Sequence, residues 1–305
     1  MVLSKIFRLF GELVVLLGVV ACLIIIGGLM YSDRGLEESG FTMITKSKVE
    51  EVREIRTDLL NSEYALLVEM ATNDVILDQR GSDKIYPASM TKVMTALVAI
   101  ETLADLNEPI YLEPSIYPGL QAMNAAMAGF NPGQQVPAVD LLYGMMLASG
   151  AESTIALAFS VAGSEEGFVQ LMNEKANELG LKGTHFTNAS GFHHPEHYTT
   201  AMDMAKLMKY AWENQVLKEL LTTPFYVVED LTLESTLFSN LSRTKVNNGE
   251  IIGGKTGFTP EAGRCLVSLA QINEKHYILV TAGAENTPEN QIQHLLDALY
   301  IYDQL

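Results

Sequence analysis

The chain has 305 residues, of which 20 are Lys or Arg and 37 are Asp or Glu, giving a net charge of −17. That acidic excess argues against a nucleic-acid partner, because neutralising phosphates takes clustered Lys and Arg. With 48% hydrophobic residues the chain can bury one large core or two modest ones. Cys22 and Cys265 do not form a fold-defining bridge, since Cys22 lies within an apolar N-terminal run.

That run, Leu13 to Tyr31, is nineteen residues without a charge, long enough to cross a bilayer as a helix of about 28 Å. Lys5 and Arg8 precede it, so the positive-inside tendency puts the N-terminus in the cytoplasm and the rest outside. A cleaved signal needs a shorter apolar core and a small-x-small site, and Leu29-Met30-Tyr31 is a poor one. Val20-Ala21-Cys22 resembles a lipoprotein cleavage site, although Leu23 to Ile26 stay apolar where such proteins turn polar. The expectation is a single-pass membrane anchor over 1–31, with the catalytic domain extracytoplasmic. Residues 32–60 are polar, with Val49, Val52, Ile55 and Leu59 spaced as a short amphipathic helix. They read as a stalk, or as the first helix of a domain expected over 61–305.

Ala65–Met70 and Val75–Gln79 flank Thr72-Asn73-Asp74 as a β-hairpin. Ser89 to Leu103 opens after Pro87 as a helix, with Met90, Val93, Met94, Leu97 and Ile100 at core spacing. Pro, Gly and Asn punctuate 109–137 as loop and short elements. Asp140 to Ala162 is helical and broken near Ser149-Gly150, and Glu165–Leu179 and Thr200–Asn214 are further helices. Past Pro224 the pattern turns strand-like at Phe225–Val228, Ala262–Gln271 and Lys275–Ala282, the last two joined at Asn273-Glu274. Pro288 to Leu305 closes as a helix. An early hairpin, central helices and late strands predict an α+β fold, its sheet assembled from both chain ends.

Chemistry enters at Ser89-Met90-Thr91-Lys92. A serine one helical turn before a lysine places hydroxyl and amine on one face, and a serine nucleophile needs such a base. Ser149-Gly150-Ala151 offers a second hydroxyl, and Lys255-Thr256-Gly257 returns in a strand-like context. S-x-x-K, a middle Ser motif and K-T-G, in that order, are the set of penicillin-binding proteins and class A β-lactamases. Ser242-Arg243-Thr244-Lys245 also matches S-x-x-K, but it lies in a polar stretch, whereas Ser89 opens an apolar helix. Gly249 to Thr256 satisfies the phosphate-binding pattern G-x-x-x-x-G-K-T as well. Gly257 and Pro260 oppose a helix where that loop requires one, so nucleotide binding is set aside.

Pro87-Ala88-Ser89-Met90-Thr91-Lys92-Val93-Met94-Thr95-Ala96 resembles the active-site segment of serine D-Ala-D-Ala carboxypeptidases. These are the low-molecular-mass penicillin-binding proteins of the DacA type, peptidase family S11. Thr184 to Gly191, His197 to Ala201 with Asp203, and Gly254 to Thr259 with Ala262-Gly263 resemble later segments of the same family. The resemblance implies a β-lactamase/transpeptidase-like fold, an antiparallel sheet flanked by helices with a helical subdomain. It implies that Ser89 is acylated by the penultimate D-alanine of a peptidoglycan pentapeptide, or by a β-lactam, with Lys92 as general base. Ser149 would relay the proton, Lys255, Thr256, Gly257, Phe258 and Thr259 would bind substrate, and backbone N–H groups of Ser89 and Phe258 would form the oxyanion hole. No cofactor or metal is implied.

The chain departs from that pattern at Ala151, where the family carries Asn, and over Asn286–His294, which lacks the arginine that often aids carboxylate binding. Arg264 and Arg243 are the candidate substitutes. Glu152 reads as a helix-start surface residue. The chain is expected to lack the β-sandwich domain that follows in many relatives. Two alternatives stand beside the carboxypeptidase: a non-catalytic penicillin-binding sensor or scaffold, which Ala151 would suit, and a β-lactamase. The second needs a deacylating Glu near Asn188, where the sequence has none. His185, His193, His194 and His197 cluster without metal-site spacing and read as a polar loop.

Overall fold

The computed structural model describes residues 55–288 and 291–305; the expected anchor lies outside them. The apolar run Ala65-Leu66-Leu67-Val68 forms the middle of β1 (Tyr64–Glu69), which pairs antiparallel with β2 (Val75–Gln79) across the expected turn at Asn73. Successive strand residues point to opposite faces, so an unbroken apolar run demands cover on both. Leu66 and Val68 join a large core with the central helices, while Ala65 and Leu67 join a second core beneath the C-terminal helix.

Along the chain, α1 (Lys92–Thr102) comes first, then the short pair β3 (Pro109–Tyr111) and β4 (Gln135–Pro137), with α2 (Tyr117–Ala122) between them. The helical block follows: α3 (Ala138–Met146), α4 (Ala151–Ala162), α5 (Glu165–Glu178), α6 (Ala201–Glu213) and α7 (Gln215–Thr222). Ser164, Thr200 and Asn214 cap α5, α6 and α7, each accepting backbone N–H groups of the first turn. Asn214 ends one helix and starts the next, so α7 follows without a linker where the sequence had suggested only one helix.

The hairpin β5 (Phe225–Val228) and β6 (Leu231–Glu234) precedes the late strands β7 (Lys245–Val246), β8 (Gly249–Thr259), β9 (Gly263–Ile272) and β10 (Lys275–Ala284). Asn273 and Glu274 both take positive φ, as a two-residue hairpin turn between twisted strands requires. The main sheet is antiparallel with order β2-β1-β10-β9-β8-β7. It is built from both chain ends around a helical insertion, as the α+β expectation held.

The closing helix α8 spans only Gln293–Tyr302, and buries Leu295, Ala298, Leu299, Ile301 and Tyr302 against the outer sheet face. Its buried Asp297 accepts the N–H groups of Asn61 and Ser62 and the Ser62 hydroxyl. Ile55 packs into the same core, and Arg56 N donates to Gln304 Oε1. The described part of the expected stalk, residues 55–60, thus contacts the domain, and it is not helical: Ile55 to Thr57 is irregular and Leu59 sits in a turn, exposed. Residues 32–54, with Val49 and Val52 of the expected helix, lie outside the described residues.

Candidate active site

Pro87 and the strained Ala88, with φ of 47°, feed a 3-10 turn over Ala88–Thr91 that runs directly into α1. The turn leaves Ser89 half-buried at the cleft wall and sends Lys92 inward, where it is 3% exposed. Lys92 Nζ lies 3.1 Å from Ser89 Oγ and donates to the Ser190 carbonyl at 2.8 Å. Ser149 occupies the break between α3 and α4, held in the left-handed region at φ 62°. Lys255, 1% exposed in the middle of β8, reaches Ser149 Oγ at 3.2 Å and the Thr256 carbonyl at 3.1 Å. Two amine–hydroxyl pairs thus meet in one cleft.

Gly257 is required by closeness: a Cβ there would sit 3.0 Å from Ser89 N and 3.0 Å from the Pro87 carbonyl. Its absence lets β8 lie against the turn that carries Ser89. Gly191 does the same on the other side, since its Cβ would meet the Ala88 carbonyl at 1.9 Å. Thr256 Oγ1 is 2.6 Å from Thr236 Oγ1, Phe258 is exposed at the cleft edge, and Thr259 Oγ1 accepts from Ala262 N to close the β8–β9 turn. The mid-strand setting of Lys255-Thr256 also disposes of the phosphate-loop pattern, which needs a helix there.

The cleft has two lobes that share Ser89, Asn124, Ala126, Ser149 and Phe258. One, of about 520 Å³, adds Lys92, Ala151, Ser190, Phe192, Thr259 and Glu261. The other, of about 340 Å³, adds Thr236, Asn240, Thr256, Arg264 and His294. A larger cavity of about 860 Å³ beyond Phe258 contains neither serine nor either lysine.

Burial, and secondly the charge of Lys255, hold the Lys92 amine well below its ordinary value, while Glu152 pulls it partly back. Burial alone brings Lys255 down to about 7. The depressed amine of Lys92, 3.1 Å from Ser89 Oγ, is thereby disposed to take a proton from Ser89.

Glu152 is fully buried, contrary to its reading as a surface residue. Its Oε1 accepts Ala128 N at 2.7 Å and Gly129 N at 2.8 Å, and Ala151 N donates to the Ala126 carbonyl at 2.8 Å. The first turn of α4 thereby fastens the loop that walls the cleft. Burial raises the Glu152 carboxyl above the usual carboxylate range.

His197 likewise proves more than part of a polar loop. It is buried, its Nδ1 accepts Thr187 N at 3.0 Å, and its Nε2 lies 2.8 Å from Thr91 Oγ1. An accepting Nδ1 leaves the ring proton on Nε2, so the imidazole bolts the 187–197 loop to the turn of Ser89. Asp203 holds the segment leading into that loop by accepting Gly183 N and the Thr184 hydroxyl. His185, His193 and His194 are exposed, and among the described residues no cluster of His, Cys, Asp or Glu is placed to hold a metal.

Residues 51–286 match the family model of peptidase S11, D-alanyl-D-alanine carboxypeptidase. The chain belongs to this family. It is 33% identical over 239 residues to the D-alanyl-D-alanine carboxypeptidase DacF of Bacillus subtilis, covering 76% of this chain but 60% of DacF. A D-alanyl-D-alanine endopeptidase of Pseudomonas aeruginosa is 30% identical over 230 residues, covering 74% of this chain and 72% of that protein. In structure the S11 domain is similar to the DD-transpeptidase of Streptomyces K15, with a TM-score of 0.72 at 25% identity, covering 85% of this chain and 98% of that one. The β-lactamase/transpeptidase-like fold inferred from the motifs is the fold observed.

Every predicted site residue of this S11 domain lies on the cleft wall or directly behind it. Arg243 does not: it pairs with Asp303 and the Lys245 carbonyl. Arg264 lines the second lobe.

Proposed function

We propose that the protein is a penicillin-binding, serine-type D-alanyl-D-alanine carboxypeptidase that removes the terminal D-alanine from peptidoglycan stem peptides through an acyl-enzyme. The observation that carries this reading is the double pairing of Lys92 with Ser89 and Lys255 with Ser149, buried side by side. Neutral Lys92 takes the Ser89 proton as Oγ attacks the penultimate carbonyl. The developing oxyanion sits between the backbone N–H groups of Ser89 and Phe258, with β8 brought against Ser89 N by the missing side chain of Gly257. The Ser149 hydroxyl passes a proton to the departing D-alanine amine. Lys255, Thr256 and Thr259 face the substrate from β8, and water then attacks the ester, with Lys92 again as base.

Among the described residues the lobes are lined by a single carboxylate, Glu261. Glu165, near the same loop, is committed to Ala189 N at 2.9 Å. A deacylating carboxylate of the kind a class A β-lactamase uses has no counterpart beside Ser89, which favours slow release of a β-lactam. The endopeptidase relative, matched over more of its own length than DacF, favours a second reading in which the scissile bond is a D-Ala cross-link.

We also propose that the apolar run 13–31 tethers the domain to the outer face of the cell membrane. Among the described residues no helix is long and apolar enough to cross a membrane.

The test is fluorescent penicillin labelling followed by D-alanine release from an uncross-linked pentapeptide and cleavage of a cross-linked dimer. Label with D-alanine release supports the carboxypeptidase, and cleavage of the dimer alone supports the endopeptidase. Label without either product would leave a penicillin-binding sensor, and rapid penicillin turnover a β-lactamase. Protease treatment of intact spheroplasts should release a soluble domain of nearly full size. A protected domain would overturn the proposed topology.

A further inference from the structure

Among the described residues, five buried side chains carry a polar atom with no hydrogen-bond partner: Glu152, Ser153, Ser190, Thr281 and His294. Of these, Ser190 alone lines the lobe that contains Lys92. It is 2% exposed, and its carbonyl already accepts from Lys92 Nζ at 2.8 Å, while Lys92 Nζ lies 3.1 Å from Ser89 Oγ. The unpartnered hydroxyl is therefore only a few covalent bonds from the group that touches the general base, on the wall of the lobe that holds the nucleophile. The backbone around it is fixed on both sides. Ala189 N donates to Glu165 Oε1 at 2.9 Å, and the Ala189 carbonyl accepts from Thr95 Oγ1 at 2.7 Å. Asn188 Oδ1 accepts the N–H groups of Gly191 and Phe192 at 2.7 and 3.0 Å. Gly191, at φ 86°, packs against Ala88 with no room for a side chain, so Ser190 is held close to the turn that carries Ser89.

A buried hydroxyl without a partner is destabilising, and where one persists in a cleft wall it calls for a water or ligand group to satisfy it. A serine hydroxyl both donates and accepts, so it can hold a water with a lone pair left free to attack. We propose that Ser190 Oγ holds, together with Lys92, the water that hydrolyses the acyl-enzyme. This assignment rests on the peptidase reading above and deepens it. The water oxygen adds to the ester carbonyl carbon; one of its protons passes to the Lys92 amine and the other stays hydrogen-bonded to Ser190 Oγ. As the bond from the acyl carbon to Ser89 Oγ breaks, Lys92 returns its proton to that oxygen and the product leaves as a carboxylic acid. Ser190 stays neutral throughout. It orients the water while Lys92 moves the proton, and it acts only after acylation.

The experiment follows the two half-reactions separately in the wild type, Ser190→Ala and Ser153→Ala, the last removing a buried unpartnered hydroxyl that lines neither lobe. Fluorescent penicillin gives the acylation rate, and loss of label from the isolated acyl-enzyme gives the deacylation rate. Intact mass during turnover of a peptide ending in D-Ala-D-Ala gives the fraction held as peptidyl-enzyme. One neutral hydrogen bond to the attacking water is worth about 3- to 10-fold in rate. Ser190→Ala should therefore label at the wild-type rate, release the label more slowly by about that factor and accumulate more peptidyl-enzyme. Its Tm should be unchanged or raised, because no hydrogen bond within the protein is lost. Ser153→Ala should match the wild type in both rates. Equal release by the wild type and Ser190→Ala overturns the proposal while the peptidase reading stands. So does an equal slowing of labelling and release, which would make the hydroxyl part of the acylation step. Should Ser190→Ala fail to fold, Ser190→Gly removes the same hydroxyl and is judged by the same two rates. A wild type that neither labels nor releases D-alanine defeats the peptidase reading itself.

Discussion

The charge of Lys255 bears directly on Lys92: after burial it is the main influence holding the Lys92 amine below its ordinary value. Acylation needs Lys92 neutral and Lys255 charged. Loss of the proton from Lys92, whose amine is held well below its ordinary value, turns activity on as pH rises, and loss of the proton from Lys255 at about 7 turns it off. The expected kcat/KM profile is a bell with its alkaline limb near neutrality in the free enzyme. Lys255→Arg keeps the charge at every accessible pH, so it should abolish the alkaline limb and leave the acid limb in place. A wild-type profile that climbs through pH 9 would contradict this assignment.

Ser89 should be the acylated residue. Intact-mass analysis after penicillin treatment should show one adduct on its peptide, absent in Ser89→Ala and present in Ser242→Ala. Ser242 is exposed, and the nearby Lys245 is engaged with Glu250, so the second S-x-x-K has no buried base. Label retained by Ser89→Ala would defeat the assignment.

The three motifs were legible because each couples a required residue type to a local pattern. Ser89 and Lys92 share a helical face, and Gly253-Gly254-Lys255-Thr256-Gly257 carries glycines where a strand must approach another backbone. The strands β1, β9 and β10 were legible from apolar runs, and the turn at Asn273-Glu274 from its residues. Glu152 was not legible, because its partners Ala128 N and Gly129 N are backbone groups more than twenty positions away. His197 was hidden for the same reason, since Thr91 lies on a distant segment. Arg264 reads in sequence as one of two candidate arginines with Arg243, and only the β8–β9 register brings it over Phe258. The short α7 was missed because its one clear signal, the Asn214 cap, was read as the end of α6.

His197 should make the domain acid-labile. Its imidazole is held at about 3, against an ordinary value near 6.5, chiefly by burial. The unfolded chain therefore binds a proton that the folded one refuses, and stability falls as pH drops from about 6.5 toward 3. His197→Gln should flatten that dependence. If its amide oxygen fails to accept Thr187 N, the unsatisfied donor costs about 1–3 kcal/mol at neutral pH. Thermal melts of both proteins between pH 4 and 8 check this, and parallel curves would show that His197 does not set the acid limb.

Ala151 offers the sharpest test of how the middle motif works here. Its side chain is 2% exposed and packs with Leu120 and Ile155, beside the partly buried Ala125, Met127 and Phe192. Its backbone N–H is committed to the Ala126 carbonyl. An asparagine would place an amide among apolar side chains, and an unpaired buried amide costs about 1–3 kcal/mol. In a domain of this size that is a fall in Tm of about 2–4 °C per kcal/mol. Ala151→Asn is therefore expected to lower Tm and to leave D-alanine release unchanged or reduced, because the side chains packed against it, Leu120 and Ile155, are apolar and offer the amide no partner. A tenfold gain in turnover, worth about 1.4 kcal/mol at the barrier, with Tm unchanged, would mean that the new amide reaches the substrate. The apolar packing of Ala151 would then be a weakness of this enzyme, not its settled design.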